Sequence, residues 1–276
     1  MTAPLAERRR RFIEAYGEHR HAEGHGGLGV AELLSLPYLR RGPIATAWRV
    51  RARTYSLFVK TVVTPLERSA GRPLSILHAG AGNGWLSYRL TRHGHHATAI
   101  DLRAAGGDSL ERGSAYARHL PSMFGRVATD FADLPFDTHR FDIVAFNASL
   151  HYAFDLSTVL AEARRVLRPG GLVAVLDSPF YRRLASGEAM VEEKLRTAVA
   201  QFGERHDALV NLPFIEFLTV DRLRDASQEL GMTWRRHRVR YPWRYEMRPL
   251  IAALRGKREP SRFDLWVARR TSFDHE

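Results

Sequence analysis

The sequence predicts an α/β fold in which helices cover both faces of a mostly parallel sheet. Between Arg72 and Asp177, short apolar runs alternate with helical patterns of about ten residues, which is the arrangement of right-handed βαβ units. The first apolar run leads into a glycine-rich loop and then a helix, in the segment Ile76-Leu77-His78-Ala79-Gly80-Ala81-Gly82-Asn83-Gly84-Trp85-Leu86. This order of elements predicts a ligand site at the carboxyl edge of the sheet.

The elements of this fold can be placed in order along the chain. Strands are predicted at Leu74–Ala79, Ala97–Asp101, Arg126–Asp130, Phe141–Asn147 and Gly171–Asp177. Helices between them are predicted near residues 84–93, 108–119 and 155–167. After Asp177 the pattern predicts a helical insertion at about residues 180–218, a helix over Val220–Gly231, and strands over Thr233–Tyr241 and Phe263–Arg269. The last two strands would add an antiparallel edge to the sheet.

The N-terminal segment has a different pattern. Residues 19–29 are rich in glycine and histidine and predict a loop. Pro43–Leu66 has the apolar spacing of a helix, which Pro65 could end or kink. We therefore divide the chain into a helical lid or substrate cap at residues 1–70 and a ligand-binding domain at residues 71–276, which includes the insertion.

The composition excludes several classes of protein. The chain has 276 residues and no cysteine, which rules out disulfides, thiolate metal sites and a cysteine nucleophile. Its apolar runs are far shorter than the roughly 20 residues of a membrane helix. The arginine run at Arg8–Arg11 is not followed by the apolar stretch of a secretory signal. We therefore expect a cytoplasmic protein without membrane contact, whose oligomeric state the sequence leaves open.

The charge of the chain is basic and unevenly distributed. The formal net charge is +12, and both flanks are basic whereas the middle is nearly neutral. Arg235–Arg258 contains nine basic residues and one acid, with aromatic residues between them. This composition is typical of surfaces that bind single-stranded nucleic acid, but also of a strand edge on which arginine stems cover aromatic rings. A nucleic-acid partner therefore stays open as an alternative.

The spacing of the glycine loop indicates the kind of ligand. Gly80, Gly82 and Gly84 form the pattern G-x-G-x-G, in which the third glycine comes one residue earlier than in the dinucleotide pattern. The loop still allows close approach of the backbone, and the helix that follows favours a carboxylate at its N-terminus. Such a loop suits an amino-acid-bearing nucleoside better than a pyrophosphate.

Two acids at strand ends support a nucleoside ligand. Asp101 ends the second predicted strand, where its carboxylate can accept both hydroxyls of a ribose. Asp130 ends the third predicted strand, where it can accept from an adenine amino group. Leu102 and Phe131 offer apolar faces for the base. These side chains and the glycine loop are all expected at one edge of the sheet.

Five segments follow one another as the motifs of a known family do: ILHAGAGNGWLS, AIDL, ATDFADLPF, RFDIVAFNASLHY and VLRPGGLVAVLDS. Over about residues 72–178 the chain resembles class I S-adenosylmethionine-dependent methyltransferases, most of all the type 11 small-molecule branch. The resemblance implies a Rossmann-like three-layer sandwich with a seven-stranded sheet, S-adenosylmethionine as cofactor, and methyl transfer to an acceptor. The cofactor contacts that it implies are Gly80, Ala81, Gly82, Asn83, Gly84, Asp101, Leu102, Asp130, Phe131 and Asn147.

One position departs from the pattern of this family. Two residues before the first glycine the family usually has Asp or Glu, and this chain has His78. Either a neutral His78 provides an acceptor for the ammonium group of the cofactor, or other groups hold it. His78 is therefore a candidate cofactor contact, and a protein that binds the cofactor without methylating anything stays an alternative.

The acceptor side is predicted from residues near the reactive methyl group. Transfer to a hydroxyl or a protonated amine needs a group that takes the proton, and His151, just after the fourth strand, is the candidate general base. Arg53, Tyr55 and Tyr152 are the candidate acceptor contacts. No metal site is predicted, because the histidines within residues 19–25 lack Asp or Cys partners at ligand spacing. We expect methyl transfer to oxygen, nitrogen or carbon of a small organic molecule, with methylation of RNA such as tRNA as an alternative.

Overall fold

The computed structural model describes residues 27–103, 105, 109–202 and 213–270, together with residues 7, 10, 13 and 14. Within these ranges one sheet contains the strands β1 Ser75–Ala79, β2 His96–Asp101, β3 Gly125–Ala128, β4 Phe141–Asn147, β5 Leu167–Leu176, β6 Met232–His237 and β7 Leu265–Arg270. Their order is β3-β2-β1-β4-β5-β7-β6, and β7 runs antiparallel to both of its neighbours. The predicted mostly parallel sheet with a late antiparallel strand is confirmed.

Helices lie on both sides of this sheet. In the described residues they are α1 Val30–Ser35, α2 Ala45–Phe58, α3 Thr64–Ala70, α4 Trp85–Arg92, α5 Leu156–Val166, α6 Leu184–Phe202, α7 Val220–Ser227, α8 Trp243–Glu246 and α9 Arg248–Leu254. A π-helical turn at Val59–Val63 joins α2 to α3. Pro65 lies in the first turn of α3, where its missing N–H costs no hydrogen bond, so the helical path continues past it.

Two hydrophobic clusters cover the two faces of the sheet. All seven residues of β4 are buried, and alternate residues point to opposite faces. Ile143 belongs to a cluster that also contains Trp48 and Phe58 of α2. Val144 belongs to the other cluster, together with Val159 of α5. The helices before residue 70 therefore share a hydrophobic core with the sheet.

The structure refines the predicted elements in several places. The third strand ends at Ala128, because Asp130 already lies in a turn in which its carboxylate accepts from the Ala132 N–H at 3.0 Å. The element near residues 110–119 is a 3₁₀ helix. Residues 19–26, the greater part of the predicted glycine- and histidine-rich loop, lie outside the described residues. In the part of the chain that is described, no helix is long and apolar enough to cross a bilayer.

Asp142 connects three strands at the amino edge of the sheet. Its carboxylate accepts from Arg72 at 2.7 Å, from Arg168 at 2.9 Å and from the Ser75 N–H at 2.7 Å. Burial raises the pKa of Asp142, but these donors outweigh burial and hold the pKa below its usual value. Because β1, β4 and β5 all start near this carboxylate, their carboxyl ends meet at the opposite edge.

Candidate functional site

A cavity of about 360 Å³ opens at the carboxyl edge of the sheet. One group of its lining residues consists of predicted cofactor contacts, and we call it the nucleoside side: Gly80, Ala81, Gly82, Asn83, Asp101, Leu102, Asp130, Phe131 and Asn147. A second group is rich in aromatic side chains, and we call it the acceptor side: Trp48, Arg51, His151, Tyr152, Phe154, Asp177, Pro179, Phe214 and Phe263. The structure thus brings most of the predicted cofactor contacts into one cavity.

The glycine loop packs closely against the residues that follow β4. Gly80, Gly82 and Gly84 have positive φ angles of 70°, 52° and 77°, which residues with side chains rarely adopt. A β-carbon on Gly80 would lie 2.3 Å from the β-carbon of Ser149, whose hydroxyl donates to the Ala79 carbonyl at 2.6 Å. Gly84 caps α4 and is not among the lining residues. The loop therefore needs glycine at its first position for both conformation and space.

Asp101 fixes the end of β2 to the glycine loop. Its carboxylate accepts from the Gly82 N–H at 2.8 Å and from the Arg103 N–H at 2.9 Å. A carboxylate oxygen can accept more than one hydrogen bond, and Asp101 also lines the cavity. Phe131 lies across the cavity and is held edge-on against Phe146, with ring centroids 5.9 Å apart. The pair of a strand-end acid and a fixed ring matches the predicted ribose and base contacts.

His78 lies beneath the loop and is not among the lining residues. It is 1% exposed, and its Nδ1 lies 3.1 Å from the Ser87 hydroxyl of α4. Burial lowers the pKa of His78 to about 3, so the imidazole is neutral at physiological pH. The position that is acidic in the family therefore holds a neutral side chain that faces a helix, and its predicted contact with the cofactor gains no support.

Two predicted acceptor contacts on α2 do not line the cavity. Arg53 is exposed and donates to the Arg240 carbonyl at 3.0 Å. Tyr55 is buried against Trp85, with ring centroids 5.6 Å apart. Arg53 is two residues from Arg51 and therefore lies on another face of the helix. Tyr55 shares the face of Trp48 but packs behind Trp85, which itself lines the cavity.

The same helix presents Trp48 and Arg51 to the cavity instead. The two residues are three apart and therefore share a face of the helix, and the guanidinium carbon of Arg51 lies 4.8 Å from the centroid of the Trp48 ring. Sequence reasoning missed Arg51. The signal that could have found it is its helical spacing from Trp48.

His151 and Tyr152 both line the cavity, as the sequence predicts. They form a short 3₁₀ turn after β4, and their rings lie 4.2 Å apart. His151 Nδ1 is 3.4 Å from the Ser178 hydroxyl. The Tyr152 ring packs edge-on against Phe214 at 5.5 Å. A histidine therefore stands at an aromatic wall beside the predicted position of the cofactor.

Asp177 is a site residue that sequence reasoning missed. It follows β5 with a φ of 52°, is 6% exposed and lines the cavity. In the described residues, neither of its carboxylate oxygens has a hydrogen-bond partner. The signal was present in the sequence, because Asp177 directly follows a parallel strand, as Asp101 and Asp130 were expected to do.

The fold and the cavity define an α/β protein with a cavity at the carboxyl edge of a mostly parallel sheet. A family model described as a methyltransferase domain matches residues 77–175. The chain is 35% identical over 195 residues to a malonyl-[acyl-carrier protein] O-methyltransferase of Erwinia pyrifoliae. That alignment covers 69% of this chain and 66% of that protein. The chain therefore spans slightly less than two thirds of this relative.

Two further similarities extend the comparison. The chain is 34% identical to phthiotriol/phenolphthiotriol dimycocerosates methyltransferase 1 of Mycobacterium ulcerans, over 46% of this chain and 44% of that protein. Its fold is similar to that of 1,6-didemethyltoxoflavin-N1-methyltransferase of Burkholderia thailandensis, with a TM-score of 0.55 and 18% identity over 99% and 94% of the two chains. That structure contains S-adenosylhomocysteine. The chain is therefore similar to class I S-adenosylmethionine-dependent methyltransferases in the sequence of its central part and in its fold.

Proposed function

We propose that this protein transfers a methyl group from S-adenosylmethionine to oxygen, nitrogen or carbon of a small organic molecule. The observation that carries the proposal is the joining of the nucleoside side and the aromatic acceptor side in one cavity. A cavity lined by aromatic side chains and a few polar groups is typical of a small-molecule site. We also propose that the protein acts in the cytoplasm.

The nucleoside side fits the cofactor at both of its polar ends. Asp101 lines the cavity at the end of β2, where its carboxylate can accept from a ribose diol. Asn147 is 6% exposed, and within the described residues its side-chain oxygen lacks a hydrogen-bond partner. A buried acceptor of this kind suits the ammonium group of the cofactor. When bound, the cofactor supplies a methyl group activated by a positively charged sulfur.

The acceptor side aligns the second ligand and excludes water. Trp48, Phe154 and Phe214 surround this part of the cavity with apolar surface, which favours a dry and ordered approach to the methyl group. His151 is the group that we propose to take a proton from the reacting atom. Its contact with Ser178 gives the imidazole a defined orientation.

The basic C-terminal stretch is partly neutralised within the fold. Three of its arginines form ion pairs, namely Arg236 with Asp264, Arg238 with Glu246 and Arg258 with Glu193. These pairs stabilise the edge formed by β6 and β7 and the helices beside it. They favour a structural role for much of this charge, and therefore a small-molecule acceptor over RNA.

Asp101→Ala is expected to weaken binding of S-adenosylhomocysteine about 10- to 100-fold, because charge-assisted hydrogen bonds contribute about 1.5–3 kcal/mol. Isothermal titration calorimetry of the wild type and the variant measures the change. Asp225→Ala is the matched control, since Asp225 is exposed on α7, and we expect no change there. Equal affinity of Asp101→Ala and the wild type would contradict the proposed ribose contact.

His151→Ala is expected to lower turnover about 100- to 10,000-fold on an acceptor identified by metabolite profiling, because that is the usual contribution of a positioned general base. Affinity for S-adenosylhomocysteine should stay within about twofold. Asp225→Ala, at an exposed position of α7, serves as the control and should keep normal turnover. Near-normal turnover by His151→Ala would show that the imidazole only packs against its neighbours.

A further inference from the structure

Asp177 carries a cost that the fold itself does not offset. A buried carboxylate is costly unless hydrogen bonds or charges compensate it, and neither oxygen has a hydrogen-bond partner in the described part of the chain. Its φ of 52° adds backbone strain at a residue that is not glycine. Buried polar groups in this condition and strained residues are concentrated at functional sites.

The protein groups near Asp177 offset its burial only in part. Tyr241 donates its hydroxyl to the Phe263 carbonyl at 2.8 Å, and Thr54 donates to the Val50 carbonyl at 3.4 Å. Burial raises the pKa of Asp177 to about 6, although the charge of Arg51 and the hydroxyl of Thr54 both act to lower it. The free acceptor capacity of Asp177 is therefore left for a ligand in the cavity.

The position of Asp177 in the sheet assigns it to the second ligand rather than to the cofactor. Asn147 pairs with Leu176 in the β4–β5 register, so Asp177 follows one step beyond the last paired residue of β5. In the sheet, β4 separates β5 from β1. Asp177 therefore lies away from the glycine loop, which follows β1, and from Asp101, which ends β2. Arg51 and Phe263, which come from outside the cofactor-binding motifs, line the same cavity, and the charge of Arg51 acts on Asp177.

We propose that Asp177 selects the methyl acceptor by accepting a hydrogen bond from an O–H or N–H group that this acceptor carries. The inference rests on the proposed methyl transfer and names the substrate class of that site: an aromatic or heterocyclic molecule with a hydrogen-bond donor. A methyl acceptor whose own carboxylate lay beside Asp177 would bring two negative charges together in a buried site, which is unfavourable. A molecule whose O–H or N–H group is already methylated has no hydrogen to donate, and would leave the Asp177 carboxylate without a hydrogen bond.

Matched probes test this selection in the protein saturated with S-adenosylhomocysteine. The probe pairs are phenol with anisole and aniline with N,N-dimethylaniline, and benzoate is the anionic probe. We expect the wild type to bind at least one donor-bearing probe about tenfold more tightly than its methylated partner, and benzoate no better than anisole, because a hydrogen bond to a charged group contributes about 1.5–3 kcal/mol. Ligand-observed NMR titration measures these affinities.

In Asp177→Ala the preference for the donor-bearing probe should fall below about twofold, in Asp177→Asn it should weaken because a neutral amide oxygen accepts less strongly than a carboxylate, and Asp225→Asn should keep it. A preference that persists in both Asp177 variants overturns the inference. So does a wild type that binds no donor-bearing probe better than its methylated partner. Loss of S-adenosylhomocysteine affinity in Asp177→Asn would assign the residue to the cofactor and would also overturn it.

The same titrations separate this inference from the proposed function. A wild type that does not bind S-adenosylhomocysteine defeats the proposed methyl transfer. A wild type that binds it normally, but shows no donor preference that depends on Asp177, defeats only the assignment of Asp177.

Discussion

Gly80→Ala is expected to destabilise the protein by about 2–5 kcal/mol and to abolish measurable binding of S-adenosylhomocysteine. The added β-carbon would lie 2.3 Å from the β-carbon of Ser149, and the backbone has a φ of 70°. The left-handed conformation costs an alanine about 1–2 kcal/mol, and overpacking adds about 1–3 kcal/mol. Urea denaturation gives the free energy of unfolding, and calorimetry gives the affinity for S-adenosylhomocysteine.

Two further variants separate the clash from the backbone strain. Gly71 has a similar φ of 64°, but a β-carbon there would meet nothing within 4 Å, so Gly71→Ala should show the conformational cost alone. Adding Ser149→Gly to Gly80→Ala removes the carbon that the new methyl group meets, and should restore part of the stability. If Gly80→Ala and Gly71→Ala cost the same, the close packing of the loop against Ser149 is not what requires glycine.

The free energy of unfolding of Asp177→Asn, relative to that of the wild type, is expected to increase by about 2 kcal/mol between pH 4 and pH 8. Burial raises the pKa of Asp177 from 3.8 to about 6. The folded state therefore holds this proton more tightly than the unfolded state does, and wild-type stability falls as the pH rises from about 4 to about 6. The neutral amide has no such titration.

Denaturation curves at both pH values measure this difference in the free energy of unfolding. Asp225→Asn is the control, and its difference from the wild type should not depend on pH in this way. Asp142 titrates with the opposite sign, since its pKa is lowered, but it is present in all the proteins that are compared. A constant difference between Asp177→Asn and the wild type would mean that the carboxylate is solvated or paired in the folded state.

The sequence predicts the sheet well because each strand has its own local signal. The run Phe141–Asn147 is apolar apart from Asp142 and its last residue, and the structure places β4 over the same residues. The carboxyl ends of parallel strands meet at one edge of a sheet. The sequence alone therefore predicts that the glycine loop and Asp101 lie close together. Asp130 was correctly placed near the cavity although its strand ends two residues earlier.

The acceptor side was harder to predict because its contacts depend on orientation and on distant segments. The phase of α2 decides that Arg51 rather than Arg53 lines the cavity, and a shift of two residues turns a helix by more than half a turn. Asp177 interacts electrostatically with Tyr241, whose hydroxyl donates to the Phe263 carbonyl. Both residues are distant from Asp177 in sequence, and no local pattern around Asp177 indicates that they lie near it.

The two groups of cavity residues have different origins along the chain. Every residue of the nucleoside side lies within residues 77–175, the stretch that the methyltransferase family model matches. Two thirds of the acceptor side lies outside that stretch, in Trp48, Arg51, Asp177, Pro179, Phe214 and Phe263. After a gene duplication, substitutions in these outlying segments can therefore change the molecule that is methylated while the cofactor contacts are inherited intact.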